Sequence, residues 1–410
     1  MQRRILVMYN LHANVVCVAP NFIPRIGGFE SHFYQVGGLL TKIGHRVSVL
    51  TRRIVGIPKS QSINGINVHR FGFPLLGSLD EGQFMNGIIQ YVRRAEFPQT
   101  VFYVFLSVRS GTRTKQILEL LKILKDKRIP VVVRVTSSNR VGKLCSMYPD
   151  ATKTLREVER IISLNPGIYR ELVSIGVPEA KIVAIPNGVD VDLFKPSEGV
   201  RKLMRSRIGC DSSTPVFLCT TRFAPKKRLP KLLQAWKEIE KHSGDFPSPE
   251  LWIVGGNNSE FSETKIRRQL IQMIGKLRLQ RVRLFASEPH SEMPKYYQSS
   301  DIYVSFSEEE GMSNSMLEAM SSGLIVIGPC VDAVTQLVEN RINGFLFGHE
   351  NGHGPTDAIR TCIQLTPTQR RQIGMTNRLL MCERYKIDEV AKQFSKLFDQ
   401  LILHYQNTEI

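Results

Sequence analysis

Two glutamates eight positions apart are the first feature of this 410-residue chain with chemical consequence. The run Ser305-Phe-Ser-Glu-Glu-Glu310-Gly-Met-Ser-Asn-Ser-Met-Leu-Glu318-Ala-Met-Ser-Ser-Gly323 ends an apolar stretch with a carboxylate, turns at Gly311, and sets Glu318 inside a helical pattern. The amides of Gly311, Met312, Ser313, Asn314 and Ser315 would then point outward at the positive end of a helix dipole, which suits a diphosphate. Glu318, about one turn into the helix, could accept two ribose hydroxyls, and Glu310 the hydroxyls of a sugar. The same residues also fit a capping box from Ser315 to Glu318, in which Glu318 merely starts a helix. Upstream, Arg222-Phe-Ala-Pro-Lys-Lys227 follows a β-branched run. A guanidinium there can grip two phosphate oxygens and an ammonium neutralise a third. Such cations lower a barrier when a departing diphosphate gathers charge; a solvated basic loop is the plain alternative. Near the start, Gly27 and Gly28 follow the first apolar run, either as an ordinary tight turn or to let backbone approach a phosphate or sugar.

The elements that must hold these residues alternate between strand and helix. Residues 15–19 form a short apolar run, 20–28 a Pro- and Gly-rich loop, 29–43 a helical period ending at Gly44, and 46–51 a β-branched strand. Further strands are expected at 101–106, 131–135, 161–164 and 182–185, with helices near 113–127 and 169–175. A second series begins with a strand at 216–220 and a helix at 229–241, and runs on through 251–254, 264–277, 282–285, 302–306, 314–321 and 324–327. Two doubly wound parallel sheets follow from this order, with ligands beyond the carboxyl ends of the strands. The Pro-, Ser- and Gly-bearing stretch 195–199 marks the boundary, so domains of 1–195 and 196–384 are expected. A final helix within 385–410 would pack back on the first.

These segments resemble the retaining glycosyltransferases of family 4, which have the GT-B fold. Glu310 and Glu318 match the family's E-x7-E signature, followed by Glu318-Ala-Met-Ser-Ser-Gly323. Gly27-Gly28-Phe-Glu30-Ser-His32, Gly44-His45-Arg-Val, Ile185-Pro-Asn187-Gly188-Val-Asp190, Arg222 to Lys227 and Asn343-Gly344 are similar to further family stretches, in the right order. The resemblance implies two Rossmann-like domains facing across a cleft and a nucleotide-sugar donor, held on the second domain. It also implies retention of anomeric configuration, with Glu310, Arg222 and Lys227 in catalytic roles. Glu318, residues 311–314, Gly27 and Gly28 would bind the donor. No divalent metal or other cofactor is called for, because Arg222 and Lys227 can serve at the diphosphate. The chain departs from the family after two strands: Leu106-Ser107-Val108-Arg109 and Thr136-Ser137-Ser138-Asn139 stand where histidines are usual, so no acceptor base is assigned. The second glycine loop is also altered, to Gly328-Pro-Cys-Val-Asp332. A weakly catalytic nucleotide-sugar-binding or scaffold protein is the alternative, since a fold does not guarantee turnover.

Composition excludes some classes. Hydrophobic residues at 42% rule out a disordered chain, and no apolar run reaches the roughly 18 residues that span a bilayer. Seven cysteines without paired short spacing read as reduced, cytosolic thiols, with residues 1–14 a short extension. His349-Glu350-Asn-Gly-His353 spells a zinc-protease motif, but the glycines around it give loop composition, not a rigid helix. A net charge of +18 favours polyanionic surroundings; nucleic acid is not expected, as no recognition motif accompanies the charge. Arg109, Arg113, Lys115, Lys122, Lys125, Lys127 and Arg128 lie on or beside a helix whose Ile117, Leu118, Leu121 and Leu124 would be buried. That face suits an anionic membrane, or is simply solvated. A cytoplasmic protein, peripheral at the membrane, with a lipid-linked or glycan acceptor is the resulting expectation.

Overall fold

A computed structural model describes residues 12–25, 27–73, 79–106, 112–242, 248–256, 261–348 and 354–408. The chain divides into two compact units, residues 1–186 with 388–410, and residues 187–387.

The first unit is a sheet of eight strands: β1 (Asn14–Val18), β2 (Arg46–Arg52), β3 (Ser60–Ile63), β4 (Ile66–Phe71), β5 (Thr100–Leu106), β6 (Val131–Val135), β7 (Arg160–Ser163) and β8 (Ile182–Ala184). Their order is β3-β4-β2-β1-β5-β6-β7-β8, and β3 alone runs antiparallel to its neighbour. Helices α1 (Gly28–Ile43), α2 (Leu79–Arg94), α3 (Thr112–Asp126), α4 (Val141–Met147), α5 (Asp150–Glu157) and α6 (Pro166–Ser174) accompany it. The central strands β1, β5 and β6 carry apolar runs, interrupted in β6 by the buried Arg134, because both faces of a wound parallel sheet are covered; Val15, Val101 to Val104 and Val131 to Val133 are all buried. The β3–β4 hairpin was not expected. It turns at Asn64-Gly65, both with positive φ (53° and 77°), as a tight two-residue turn requires.

The second unit holds α7 (Glu198–Arg207), β9 (Val216–Thr221), α8 (Leu229–Lys241), β10 (Glu250–Gly255), α9 (Phe261–Leu277), β11 (Val282–Phe285), α10 (Pro294–Gln298), β12 (Ile302–Val304), α11 (Asn314–Ser321), β13 (Ile325–Pro329), α12 (Asp332–Thr335), β14 (Gly344–Phe347), α13 (Pro355–Gln364) and α14 (Pro367–Arg384). Its six strands are all parallel, in the order β11-β10-β9-β12-β13-β14. The chain starts at the centre on β9, moves outward to β11, and returns to β12 on the other side. The order therefore reverses between β9 and β12.

The boundary lies earlier than the composition suggested, at Pro186 rather than at 195, and the second unit runs to Ile387. The reason is local bonding. Asn187 bonds Met312 and Asn314, Val189 bridges Lys386, and the Arg378 guanidinium donates to the carbonyls of Val191 and Phe194 at 3.1 Å each. The last helix, α15 (Ile387–Thr408), packs on the first unit, with His45 Nε2 2.7 Å from Ser395 Oγ and the Phe394 and Phe398 rings against Tyr103.

Candidate active site

Between β9 and β12 the sheet reverses its order, and ligands of open parallel sheets bind at the carboxyl ends of strands at such a point. The residues marked by spacing in the second unit gather there. Arg222 directly follows β9, and Pro225 to Lys227 make a single turn of 3₁₀ helix behind it. The loop after β12 carries Glu308, Glu309 and Glu310, then opens α11.

The two loops interlock through charge. The Lys227 ammonium pairs with Glu310 Oε1, Lys226 reaches the Glu309 carbonyl at 3.4 Å, and Arg228 Nη2 lies 2.5 Å from Glu308 Oε2. Ser307 Oγ donates to the same Glu310 oxygen at 2.7 Å. Burial would raise the Glu310 carboxyl, but the Lys227 and Lys226 ammoniums, with the Lys227 and Ser307 hydrogen bonds, outweigh it and hold it below its ordinary value. Arg222 is exposed and forms no ion pair with a described residue. One cation at this edge is thus held by a carboxylate and a neighbouring one is open to an anion.

Ser313, not Ser315, caps α11, its hydroxyl accepting from the Met316 amide at 3.4 Å. That removes the capping box as the reason for Glu318, which lies deeper in the helix. Its carboxylate is instead held from both sides. Tyr297 OH donates to Oε2 at 2.6 Å, and His290 Nε2 is 2.9 Å from Oε1. Thr220 Oγ1 sits 2.8 Å from the Tyr297 hydroxyl, tying the group to the end of β9. Burial lowers the His290 imidazole, yet its hydrogen bond to Glu318 and the charges of Glu318 and Asp190 leave it raised above its ordinary value. Phe194 lies edge-on to His290, ring centroids 5.2 Å apart, and shields the pair.

The turn from Gly311 to Asn314 is anchored from behind. Asn187 gives its backbone N–H to Met312 Sδ at 3.2 Å and its side-chain amide to Met312 O at 3.1 Å and Asn314 Oδ1 at 2.6 Å. The Met312 and Asn314 side chains therefore serve this anchor, and what the turn can offer a ligand is its backbone. The Gly311 carbonyl accepts from Gln336 Nε2 at 3.4 Å, just past α12. At the end of β10, Gly255 (φ +145°) runs so close to β9 that a β-carbon would lie 1.8 Å from the Thr221 carbonyl oxygen. Only glycine fits there.

Gly27 and Gly28 belong to the first unit, at the start of α1. Gly27 is extended at φ −135°, and neither glycine has a positive φ, so a left-handed turn is not their reason. A β-carbon at Gly27 would lie 2.4 Å from Glu30 Oε2, because that carboxylate folds back over the first turn. At Gly28 it would meet nothing within 4 Å. With a carboxylate already at the helix N-terminus, this end of α1 suits hydroxyls better than phosphate. Behind it Arg134 Nη1 reaches Tyr103 OH at 3.1 Å and His32 Nδ1 at 3.3 Å, all buried.

Sequence reasoning missed His290, Tyr297, Asn187's clamp and Gly255. Gly255-Gly256, a doublet closing an apolar run, left a local signal, and Asn187 lies in a stretch quoted for the family resemblance without its contacts being readable; His290 and Tyr297 act across long chain separations. Ser107 to Arg109 and the His349 to His353 motif lie outside the described residues. Among the described residues no group of three or more His, Cys, Asp or Glu could hold a metal ion. No described helix is long and apolar enough to cross a membrane.

Two units built on wound, largely parallel sheets, with basic and acidic side chains gathered where one sheet reverses, have the architecture of the GT-B glycosyltransferases. Residues 26–193 match Glycosyltransferase Family 4, and residues 214–365 match Glycosyl transferases group 1. The chain belongs to this glycosyltransferase family. It is similar to a phosphatidylinositol N-acetylglucosaminyltransferase polypeptide of Arabidopsis thaliana, 23% identical over 413 residues covering 95% of this chain and 82% of the relative. A GDP-mannose-dependent alpha-(1-6)-phosphatidylinositol monomannoside mannosyltransferase of Mycolicibacterium smegmatis is 27% identical over 258 residues, 60% of this chain and 63% of that one. Among solved structures, sucrose-phosphate synthase from Thermosynechococcus elongatus superposes with a TM-score of 0.78 at 18% identity, covering 96% of this chain and all of that one.

Proposed function

We propose that the protein transfers a sugar from a nucleotide-sugar to a lipid-linked acceptor with retention of anomeric configuration. The observation that carries this reading is the meeting of Lys227, Glu310 and the α11 N-terminus at the reversal between β9 and β12. Before donor arrives, Lys227 is neutralised by Glu310. A diphosphate entering beside Arg222 would compete for the ammonium and release Glu310 toward the sugar hydroxyls. Charge that develops on the leaving diphosphate would then be met by Arg222, Lys227 and the N-terminus of α11. Those groups take the part that a divalent metal plays elsewhere, so we propose a metal-independent reaction. Glu318, held by His290 and Tyr297, takes the ribose. In a same-face displacement the departing phosphate can receive the acceptor's proton, so a protein base is not needed.

A lipid acceptor is supported by the two relatives above, whose names both specify phosphatidylinositol compounds. It implies work at a membrane surface from the cytoplasmic side. The reading is tested by thermal unfolding against a panel of nucleotide-sugars, since a donor at one hundred times its Kd stabilises by about 2.7 kcal/mol. Stabilisation by one donor and by its nucleoside diphosphate, undiminished by a metal chelator, is the expected result. A panel without any stabilising member would remove the proposal.

A further inference from the structure

Val55 and Phe73 are the two most exposed large apolar side chains among the described residues, at 74% and 67%. Single exposed apolar residues need no explanation, but these two leave the same edge of the first sheet on neighbouring strands. Arg52 on β2 is registered with Phe71 on β4, and the Arg53 amide bonds the Phe71 carbonyl at 2.9 Å. Val55 follows that pair by three residues and Phe73 by two.

The loops that carry them are built firmly. The Arg70 side chain is buried and donates to Pro58 O at 3.1 Å and Ile23 O at 2.9 Å, joining the loop after β1 to the loop after β2. Arg52 Nη2 adds a bond to Asn21 Oδ1 at 2.8 Å. Gly56 turns the tip at φ +76° with nothing near its missing β-carbon. Gly72 (φ +83°) packs so tightly on α2 that a β-carbon would be 3.1 Å from the Phe84 backbone, which fixes where the chain leaves at Phe73.

Charge selects the occupant. Segments 20–25, 52–60 and 70–73 contain Arg25, Arg53 and Lys59 besides the bonded Arg52 and Arg70, and no acidic residue. The helix face read from sequence as basic differs: Lys122 pairs with Asp150 and Lys125 with Glu157 at 2.9 Å each, while Glu119 takes Arg93 from α2. An apolar tip with Arg25, Arg53 and Lys59 beside it, none of them in an ion pair with a described residue, fits an anionic bilayer better than a face whose Lys122 and Lys125 already have partners.

We propose that this edge docks the protein on an anionic lipid surface, with Val55 and Phe73 entering the boundary between headgroups and acyl chains and Arg25, Arg53 and Lys59 at the lipid phosphates. The proposal rests on the lipid-acceptor reading and names the surface that serves it. Sedimentation with phosphatidylcholine–phosphatidylserine vesicles tests it. The double variant Val55→Asp, Phe73→Ser is expected to lose about tenfold in partitioning, and added salt to weaken wild-type binding without abolishing it, because the apolar part is not screened. Both natural tryptophans, Trp236 and Trp252, are fully buried. Those two indoles emit but do not meet a vesicle, so a blue shift on vesicles shown by Val55→Trp and not by wild type reports on the tip. Equal binding by wild type and double variant, or an introduced indole blind to vesicles, overturns the docking site. Wild-type protein that releases nucleoside diphosphate from a donor yet never sediments with vesicles defeats the docking and leaves the transfer reaction standing. Sedimentation that depends on the tip, without any donor turnover, keeps the docking and defeats the reaction.

Discussion

Opposite ends of β9 and β12 carry two ionic clusters of similar composition and different character. At the amino ends, Asp301 accepts from Arg205 Nη2 at 2.8 Å, Arg201 Nη2 at 2.7 Å and the Val216 amide at 2.8 Å. Arg205, 2% exposed, also donates to the carbonyls of Ser299, Asp211, Ser212 and Thr214. That guanidinium is saturated by fixed acceptors. At the carboxyl ends, Lys227 is held chiefly by one carboxylate and Arg222 lies exposed. The first arrangement has nothing left to give a ligand, and the second has exchangeable partners. Charge at one end is fixed by the fold, and charge at the other is left with fewer partners.

Breaking the amino-end cluster should have the largest effect. Asp301→Ala leaves Arg205 buried without its counter-charge, a loss of about 3–5 kcal/mol, seen as a lower denaturation midpoint of the second unit. Arg222→Ala and Lys227→Ala should reverse the pattern. Each is expected to cut turnover by ~10²–10³ at saturating donor, with the denaturation midpoint close to wild type; a turnover loss matched by lost stability would merge the two clusters into one class. Smaller still is the division between the glutamates. Glu318→Ala should weaken nucleoside diphosphate binding by about tenfold, from one or two hydrogen bonds, while Glu310→Ala does not weaken it, since it removes the competitor for Lys227, and impairs transfer. Equal loss of nucleotide affinity in both would reject the separate roles.

The smallest effect is a pH dependence. His290 is raised in the folded state, so its pairing with Glu318 is fully present below the ordinary imidazole value and is lost as pH rises through the raised one. Nucleotide affinity should fall modestly over that interval, and His290→Gln should flatten the profile; an unchanged profile would take His290 out of the site. Glu310 runs the other way. Its depressed value makes the Lys227 pair a stabilising contact above the ordinary carboxylate range that is lost as pH falls through the depressed value.

What the sequence revealed and what it hid follow from range. Helices α8 and α11 were legible to the residue, because their apolar periods and flanking turns are local signals. The positions of Glu310, Glu318, Arg222 and Lys227 in the fold were legible because each sits just past a strand or inside the helix that follows. The β3–β4 hairpin was missed although Asn64-Gly65 announces it, since Ser60 to Ile63 has too few apolar residues to read as a strand. β14 was missed for a different reason: Gly344 opens it with a β-carbon position only 2.5 Å from the Val326 carbonyl, a closeness that only the folded sheet explains. His290 and Tyr297 stand 28 and 21 residues from the carboxylate they hold, and Asn187 stands 125 from Met312. No period or motif encodes such meetings. The partners of two cations on the basic helix, Asp150 and Glu157, were hidden because they come from a neighbouring helix.

The most direct test of the whole account is donor turnover by Arg222→Ala and Lys227→Ala beside the wild type, followed as release of nucleoside diphosphate at saturating nucleotide-sugar. The account predicts that the wild type turns over at least one donor and that each variant loses ~10²–10³ in kcat while unfolding at the wild-type midpoint. Turnover that survives in both variants would contradict it, because the cations at the carboxyl ends of β9 and β12 would then be surface charge and the diphosphate would have to be met elsewhere.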